Sequence, residues 1–216
     1  VNVILMGAPG AGKGTQAPML GARLGVPNIS TGEMLREEVR RKTPLGIEAK
    51  RYMDKGELVP DTVIIGVGER RLKQPDARQG FVLDGFPRTV PQAEALDRGL
   101  AGYGRAIDAV VNIAVPREEL IKRLSGRRTC RDCGAMYHII FDPPTNTGTC
   151  NKCNGDLYQR DDDQEDIITS RLEVYERETA PLLDFYRRRH LLTEIDGTGA
   201  REDILARIRA AVEHPA

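Results

Sequence analysis

Apolar residues fall along this chain in short runs separated by amphipathic stretches, and the runs predict five β-strands. Residues 1–6 (VNVILM) are almost wholly apolar, as a strand covered on both faces of a parallel sheet would be. The same reading gives strands at 27–30 (PNIS), 80–84 (GFVLD), 108–115 (DAVVNIAV) and 191–196 (LLTEID). Between them lie helical patterns: a short one after Thr15 ended by Gly25, one from Asp61 through Leu72, and one over 117–124. A long helix over 163–189 is expected to kink near Pro181, and a last one over 200–212 places Ile204, Leu205, Ile208 and Val212 on one face. Strands alternating with helices predict an α/β fold with a doubly wound, parallel sheet.

Two stretches break that rhythm. Residues 30–59 read as short helices: Ser30-Thr31-Gly32-Glu33 matches a capping box, and Gly46 and Gly56 bracket the next helix. Residues 126–163 read as irregular, with prolines at 143 and 144 and all four cysteines. Both are expected to be small subdomains inserted into a core made of 1–29, 60–125 and 164–216.

Composition narrows the function. At 216 residues the chain can bury one good core, and its 32 basic and 32 acidic residues cancel. The surface as a whole is therefore no trap for nucleic acid, and phosphate recognition must come from local clusters of arginine. No apolar run is long enough to cross a bilayer and no signal peptide opens the chain, so a cytoplasmic protein with reduced thiols is expected. No apolar surface stripe calls for a partner, and a monomer is the default.

The chemistry starts at residues 7–15, GAPGAGKGT, between the first strand and the first helix. Gly7, Gly10, Gly12 and Gly14 let the backbone approach an anion, and successive N–H groups with the helix N-terminus can point at phosphate oxygens. Gly10, Ala11, Gly12, Lys13, Gly14 and Thr15 are the expected phosphate cradle, with Lys13 as a point charge. Gly14 stands where the strict pattern has Ser or Thr, so Thr15 is expected to meet phosphate rather than metal. The plain alternative is an ordinary glycine-rich turn.

The cysteines are spaced as Cys130-x2-Cys133 and Cys150-x2-Cys153. Two such knuckles suit one tetrahedral ion, and with four thiolates no position is left open, so a metal there is structural. Two disulfides or an iron site are the other readings. Gly134 and Asn154-Gly155 follow the knuckles and can turn backbone N–H groups toward sulfur.

Asp84 ends an apolar strand, where an acid can position Mg²⁺ beside a nucleotide; the alternative is a turn-forming Asp before Gly85. Arg88 follows in the Gly85-Phe86-Pro87-Arg88 loop. Arg123 and Arg127, four apart, are expected on one helix face, and Arg36, Arg160 and Arg171 border the inserts. Any one of these could be a solvated surface residue, but planar forks on movable flaps suit a transferring phosphoryl group.

With these residues assembled, the chain resembles the adenylate kinase family, in its bacterial-type long form with a four-cysteine lid, over essentially its whole length. The resemblance rests on GAPGAGKGTQA at 7–17, STGEMLR at 30–36, LDGFPRT at 83–89, GRR at 126–128, YQRDDDQED at 158–166 and DGT at 196–198. It implies the nucleoside monophosphate kinase fold with a five-stranded parallel sheet, an AMP-binding insert at 30–59 and a zinc-binding lid at 126–163. It implies phosphoryl transfer between Mg-ATP and AMP to give ADP, with structural Zn²⁺ on Cys130, Cys133, Cys150 and Cys153. On the ATP side it places the phosphate loop, Arg123, Arg127, Met136, Tyr137 and the backbone at Gly199. On the AMP side it places Thr31, Arg36, Glu57, Leu58, Val59, Gly85, Phe86, Pro87, Arg88 and Gln92. Arg160 and Arg171 would span both nucleotides; Lys13, Asp84, Arg88, Arg123, Arg160 and Arg171 would serve transfer itself. By the same resemblance Asp162 and Asp163 hold the closed state. The family often has Lys after DGT, where this chain has Gly199 and Ala200, so only a backbone contact survives there. The alternatives are a kinase for another nucleoside monophosphate, or a nucleotide-dependent switch gripping nucleic acid through a zinc ribbon. The balanced charges of 129–158 speak against the second.

Overall fold

The computed structural model describes residues 1–213; residues 214–216, assigned above to the core, lie outside the described residues. All five expected strands form, as β1 (Asn2–Met6), β2 (Asn28–Ser30), β3 (Phe81–Asp84), β4 (Ala109–Ala114) and β8 (Leu192–Asp196). They make one parallel sheet in the order β2-β3-β1-β4-β8. Alternate residues of β1 serve two cores. Ile4 and Met6 pack with Phe81, Leu83, Leu96 and Tyr186, while Val3 and Leu5 pack with Leu20, Val111, Leu124 and Ile208. A strand buried on both sides has no polar face to show, which is why these runs read as continuous.

The helices are α1 (Lys13–Leu24), α2 (Thr31–Arg40), α3 (Pro44–Met53), α4 (Asp61–Leu72), α5 (Val90–Ala101), α6 (Arg117–Ser125), α7 (Glu165–Val174), α8 (Pro181–Arg187) and α9 (Arg201–Glu213). Helix α5, capped by Thr89 with Pro91 in its first turn, has no counterpart among the expected elements. The expected long helix is divided: Tyr175–Thr179 is a π-helical turn in which the Ala180 N–H reaches back to the Tyr175 carbonyl at 2.8 Å. Pro181 has no N–H to continue the α pattern, so the chain widens before it.

Three local expectations are corrected. Ser30 caps α2 by accepting from the Glu33 N–H at 3.4 Å, but the Glu33 carboxylate turns to arginines instead of completing the capping box. Gly46 lies inside α3 rather than before it. A Cβ there would sit 2.1 Å from the Glu38 carbonyl, so glycine lets α3 close on the end of α2. Residues 126–163 are not irregular: β5 (Arg127–Cys130) pairs antiparallel with β6 (Met136–His138) and β7 (Leu157–Tyr158).

Candidate active site

The phosphate loop leaves the carboxyl end of the central strand β1, between β3 and β4. In register Leu5 lies opposite Asp84, so the loop and the acid share one edge. This is the crevice where α/β sheets bind ligands. Gly10 and Gly12 have φ of 86° and 101°. Gly14 is different: it is helical, and its missing Cβ makes room for the Met136 methyl and the Asp84 carboxylate, 3.1 and 3.5 Å from where that atom would be. Lys13 Nζ donates to the carbonyls of Gly7 (2.6 Å) and Ala8 (3.0 Å). Burial takes its pKa down from 10.5 to about 8, against the pull of Asp84.

Across the cleft, the backbone at 85–92 forms a second cradle. Thr31 Oγ1 donates to the Gly85 carbonyl (2.8 Å), which also accepts from Arg88 Nε (2.8 Å). The Gln92 amide is fixed at both ends, accepting from the Arg88 N–H (2.7 Å) and donating to Asp61 (2.7 Å), and Thr89 donates to the same Asp61 oxygen. Burial, then the neighbouring Arg171 charge, brings Arg88 down from 12.5 to about 10. Phe86 is the one expected cleft residue that turns away, its ring packed in the core against Gly68.

The remaining arginines are held by carbonyls and carboxylates. Arg123 donates to Glu119 (3.1 Å) and to the Gly197 carbonyl (3.0 Å). Arg127 does not share its helix face: α6 ends at Ser125, Gly126 turns the chain, and Arg127 opens β5. It pairs instead with the fully buried Asp163 at 2.8 and 2.5 Å. Burial alone would lower its pKa, and the Asp163 charge raises it instead. Arg171 donates to the same carboxylate (3.0 Å) and to the Asp162 carbonyl (2.9 Å). Arg160 donates to Thr129 (3.0 Å) and to Glu33 (3.0 Å), which also accepts from Arg36. Burial, then the like charges of Arg36 and Arg127, takes Arg160 to about 10.

Together these residues line one cleft of about 840 Å³. It includes Gly7, all of 10–15, Asp84, Gly85, Pro87, Gln92, Thr31, the segment 57–59, Met136, Tyr137, Gly199 and all six singled-out arginines. The cleft also holds residues that sequence reasoning missed: Glu33, Glu119, His138, Phe141 and Asp142. Glu33 was hidden by its capping-box position, and the last three by a loop that reads as irregular.

Tyr137 borders the cleft while its hydroxyl serves the cysteines, lying 3.3 Å from Cys150 Sγ and accepting from the Asn151 N–H at 2.9 Å. The four Sγ atoms lie within 4.8 Å of one another, with Cys130–Cys153 and Cys133–Cys150 at 3.4 and 3.6 Å. A tetrahedral zinc with sulfurs at about 2.3 Å places them roughly 3.8 Å apart, so the donor set fits that ion. The Tyr137 hydroxyl leads the effects that lower the Cys150 thiol from 9.0 to about 6, and the Lys152 N–H adds a contact at 3.4 Å. Cys153 goes the other way, up to about 12, where the Cys130 and Cys133 sulfurs outweigh the Gly155 N–H, so it is the sulfur spacing that fits the ion. Among the described residues no helix is long and apolar enough to cross a membrane.

Comparison with known proteins agrees with this geometry. The family model described as adenylate kinase matches residues 5–191. The adenylate kinase of Archaeoglobus fulgidus is 54% identical over 213 residues, covering 99% of this chain and 98% of its own. That of Carboxydothermus hydrogenoformans is 54% identical, covering 99% and 100%. That of Syntrophobacter fumaroxidans is 55% identical over 210 residues, covering 97% and 99%. A phosphate loop and a second arginine-lined cradle facing each other across one cleft, matched over nearly the whole length, place this chain in the adenylate kinase family.

Proposed function

We propose that this chain transfers the terminal phosphoryl group of Mg-ATP to AMP, reversibly, giving two ADP. The observation that carries the reading is one continuous cleft with Lys13 and the phosphate loop on one side and Arg88, Thr31 and Gln92 on the other. ATP phosphates are assigned to the loop, Arg123 and Arg127, and AMP to the 85–92 cradle with Arg36 and the segment 57–59. Arg160 and Arg171 lie between. The insert 30–59 and the lid 126–163 are the parts that close over the two nucleotides.

No catalytic base is required. A phosphate monoester near pH 7 is mostly the dianion, with a second pKa of about 6, so the acceptor oxygen is already nucleophilic. The protein's work is alignment and charge neutralisation: Arg88, Arg160 and Arg171 present planar donors, and Lys13 a buried cation. Asp84, at the edge of the loop, would hold the Mg²⁺ that accompanies ATP, and the ion would supply neutralisation of charge on the terminal phosphates. Water is the competing acceptor, and flaps joined over the cleft exclude it. The Arg160–Glu33 pair, which ties the lid segment to α2, supports that role.

The monomeric state and cytoplasmic setting expected from the sequence belong to the same reading, and four cysteines gathered for one ion suit a compartment where thiols stay reduced. The test is a coupled assay of metal-loaded protein with Mg-ATP against AMP, GMP, CMP, UMP and shikimate. ADP formation confined to AMP is expected. Turnover confined to another acceptor would overturn the AMP assignment, and silence with all of them would overturn the reaction.

A further inference from the structure

His138 lines the cleft, yet phosphoryl transfer as derived above makes no use of it. Its ring is buried at the junction of β6 with the carboxyl end of α6, and its bonds fix its chemical form. Nδ1 accepts two backbone N–H groups, from Ile140 (3.0 Å) and Phe141 (3.1 Å). Nε2 lies 3.1 Å from the Lys122 carbonyl, which can only accept. The proton therefore sits on Nε2 and Nδ1 is bare.

The surroundings are shaped for this ring. A Cβ on Gly126 would lie 2.2 Å from Nε2, although Gly126 has an ordinary φ of −85°, so glycine is required there for space. His138 and Asp142 exchange backbone hydrogen bonds (3.0 and 3.2 Å), closing a tight loop, and the Phe141 ring stacks on the imidazole with centroids 4.4 Å apart. Burial does not hold this loop: Ile139, Ile140 and Phe141 are 52, 67 and 55% exposed. Backbone bonds hold its ends, His138 with Asp142 and the Ile139 N–H to the Gly126 carbonyl (3.0 Å), and the Asp142–Arg201 ion pair ties it to α9; the Ile140 and Phe141 N–H groups between are held by the imidazole acceptor. Phe141 and Asp142 thereby line the cleft, beside the Gly199–Arg201 segment to which Asp142 is tied.

We propose that His138, as its neutral Nε2–H tautomer, is a positioning residue that seats the 139–142 loop as the wall of the ATP side of the cleft. The proposal rests on the assignment of that side to ATP. The imidazole links the last turn of α6, which carries Arg123, to the loop, so the wall and the phosphate contact share one anchor.

Two variants divide the ring's functions. His138→Asn keeps an acceptor at the Nδ1 position and loses the donor; His138→Gln keeps a donor near the Nε2 position and loses the acceptor. His138→Phe keeps the stack and loses both. For His138→Phe, two lost loop hydrogen bonds predict a KM for Mg-ATP raised about tenfold, with KM for AMP within about twofold of the parent. His138→Asn should recover most of the loss and His138→Gln little of it. Equal KM values for Mg-ATP throughout, equal rises for both substrates, or no recovery by Asn over Phe would overturn the proposal. Absence of ATP–AMP turnover in the parent protein is a different result: it overturns the functional reading and this proposal with it. Independently of any variant's folding, long-range ¹H–¹⁵N spectra of the zinc-loaded parent read the tautomer. A bare Nδ1 at neutral pH is expected, and a protonated one would refute the proposed geometry.

Discussion

Arg88→Lys asks whether catalysis in this cleft depends on the planar guanidinium or only on a positive charge. Arg88 holds its place through Nε to the Gly85 carbonyl and its N–H to Gln92, which leaves the outer nitrogens for a ligand. Lysine offers a point charge with no fork. Losing one preorganised donor to a developing charge costs about 2.7–4 kcal/mol, or roughly 10²–10³ in kcat. The structure adds a second, pH-dependent loss. Burial takes Lys13 from 10.5 to about 8 and Arg88 from 12.5 to about 10. A lysine at 88 starts lower than arginine and meets the same burial, so it loses its proton at lower pH than Arg88 does. The cation is the active form, so the ratio of variant to parent kcat/KM for AMP should fall further as pH rises, while Arg88 stays charged to about 10. Lys13 is common to both proteins and cancels in that ratio. The assay is coupled kinetics from pH 6.5 to 9.5, with kcat read at saturation and kcat/KM at low AMP, and the melting temperature is the control for folding. A variant kcat within twofold of the parent at every pH would refute the reasoning; a large but pH-independent loss would refute only its electrostatic half.

Two further perturbations test the lid. Removing the metal with a strong chelator should lower the melting temperature and weaken ATP binding far more than AMP binding at the 85–92 cradle. The small cluster around Cys130, Tyr137 and Cys150 cannot order the β5–β7 sheet without an ion whose binding supplies about 10 kcal/mol; an unchanged melting curve after verified metal loss counts against a structural site. Asp163→Asn leaves Arg127 and Arg171 without the buried charge they share, and should destabilise the protein by about 3 kcal/mol in urea unfolding, a loss below about 1 kcal/mol contradicting the pairing.

The middle of the sheet was legible in the sequence because β1, β3 and β4 face apolar layers on both sides and so read as apolar runs, while the edge strands β2 and β8 are only partly buried and read from their place between helical patterns. Helix α5 was not, because its inward positions are partly small (Ala93, Ala95) and interleaved with Pro91 and Gly99, so no stripe stands out. Arg127 was misplaced by counting four residues from Arg123, although Gly126 between them is a helix-ending signal. The antiparallel lid sheet was illegible for a different reason: its buried positions are mostly cysteine, threonine and histidine, so periodicity has nothing apolar to record. Glu33 shows the limit of local rules. Its spacing from Ser30 fits a capping box, but two arginines, one of them 127 residues away, draw the carboxylate more strongly than one backbone amide can.

The division of charge in the cleft follows from how many cations it gathers. On the proposed function, a site that neutralises the phosphates of ATP and AMP holds more cations than a buried surface tolerates alone. Arg127 and Arg171 therefore share Asp163, and Arg36 and Arg160 share Glu33. Lys13 and Arg88 are treated differently: the ammonium and the guanidinium donate to backbone carbonyls, and both have pKa values lowered first by burial. A cation without a carboxylate partner gains most from an arriving phosphate, because no internal pair has to be broken first. On the proposed assignment, the strongest attraction for phosphate then falls at one residue of each cradle, Lys13 and Arg88. The carboxylate-paired arginines then have a second use. Their partners sit on different segments, as with Glu33 on α2 and Arg160 beyond β7, so the pairs that quiet the empty site also join the parts that close over it.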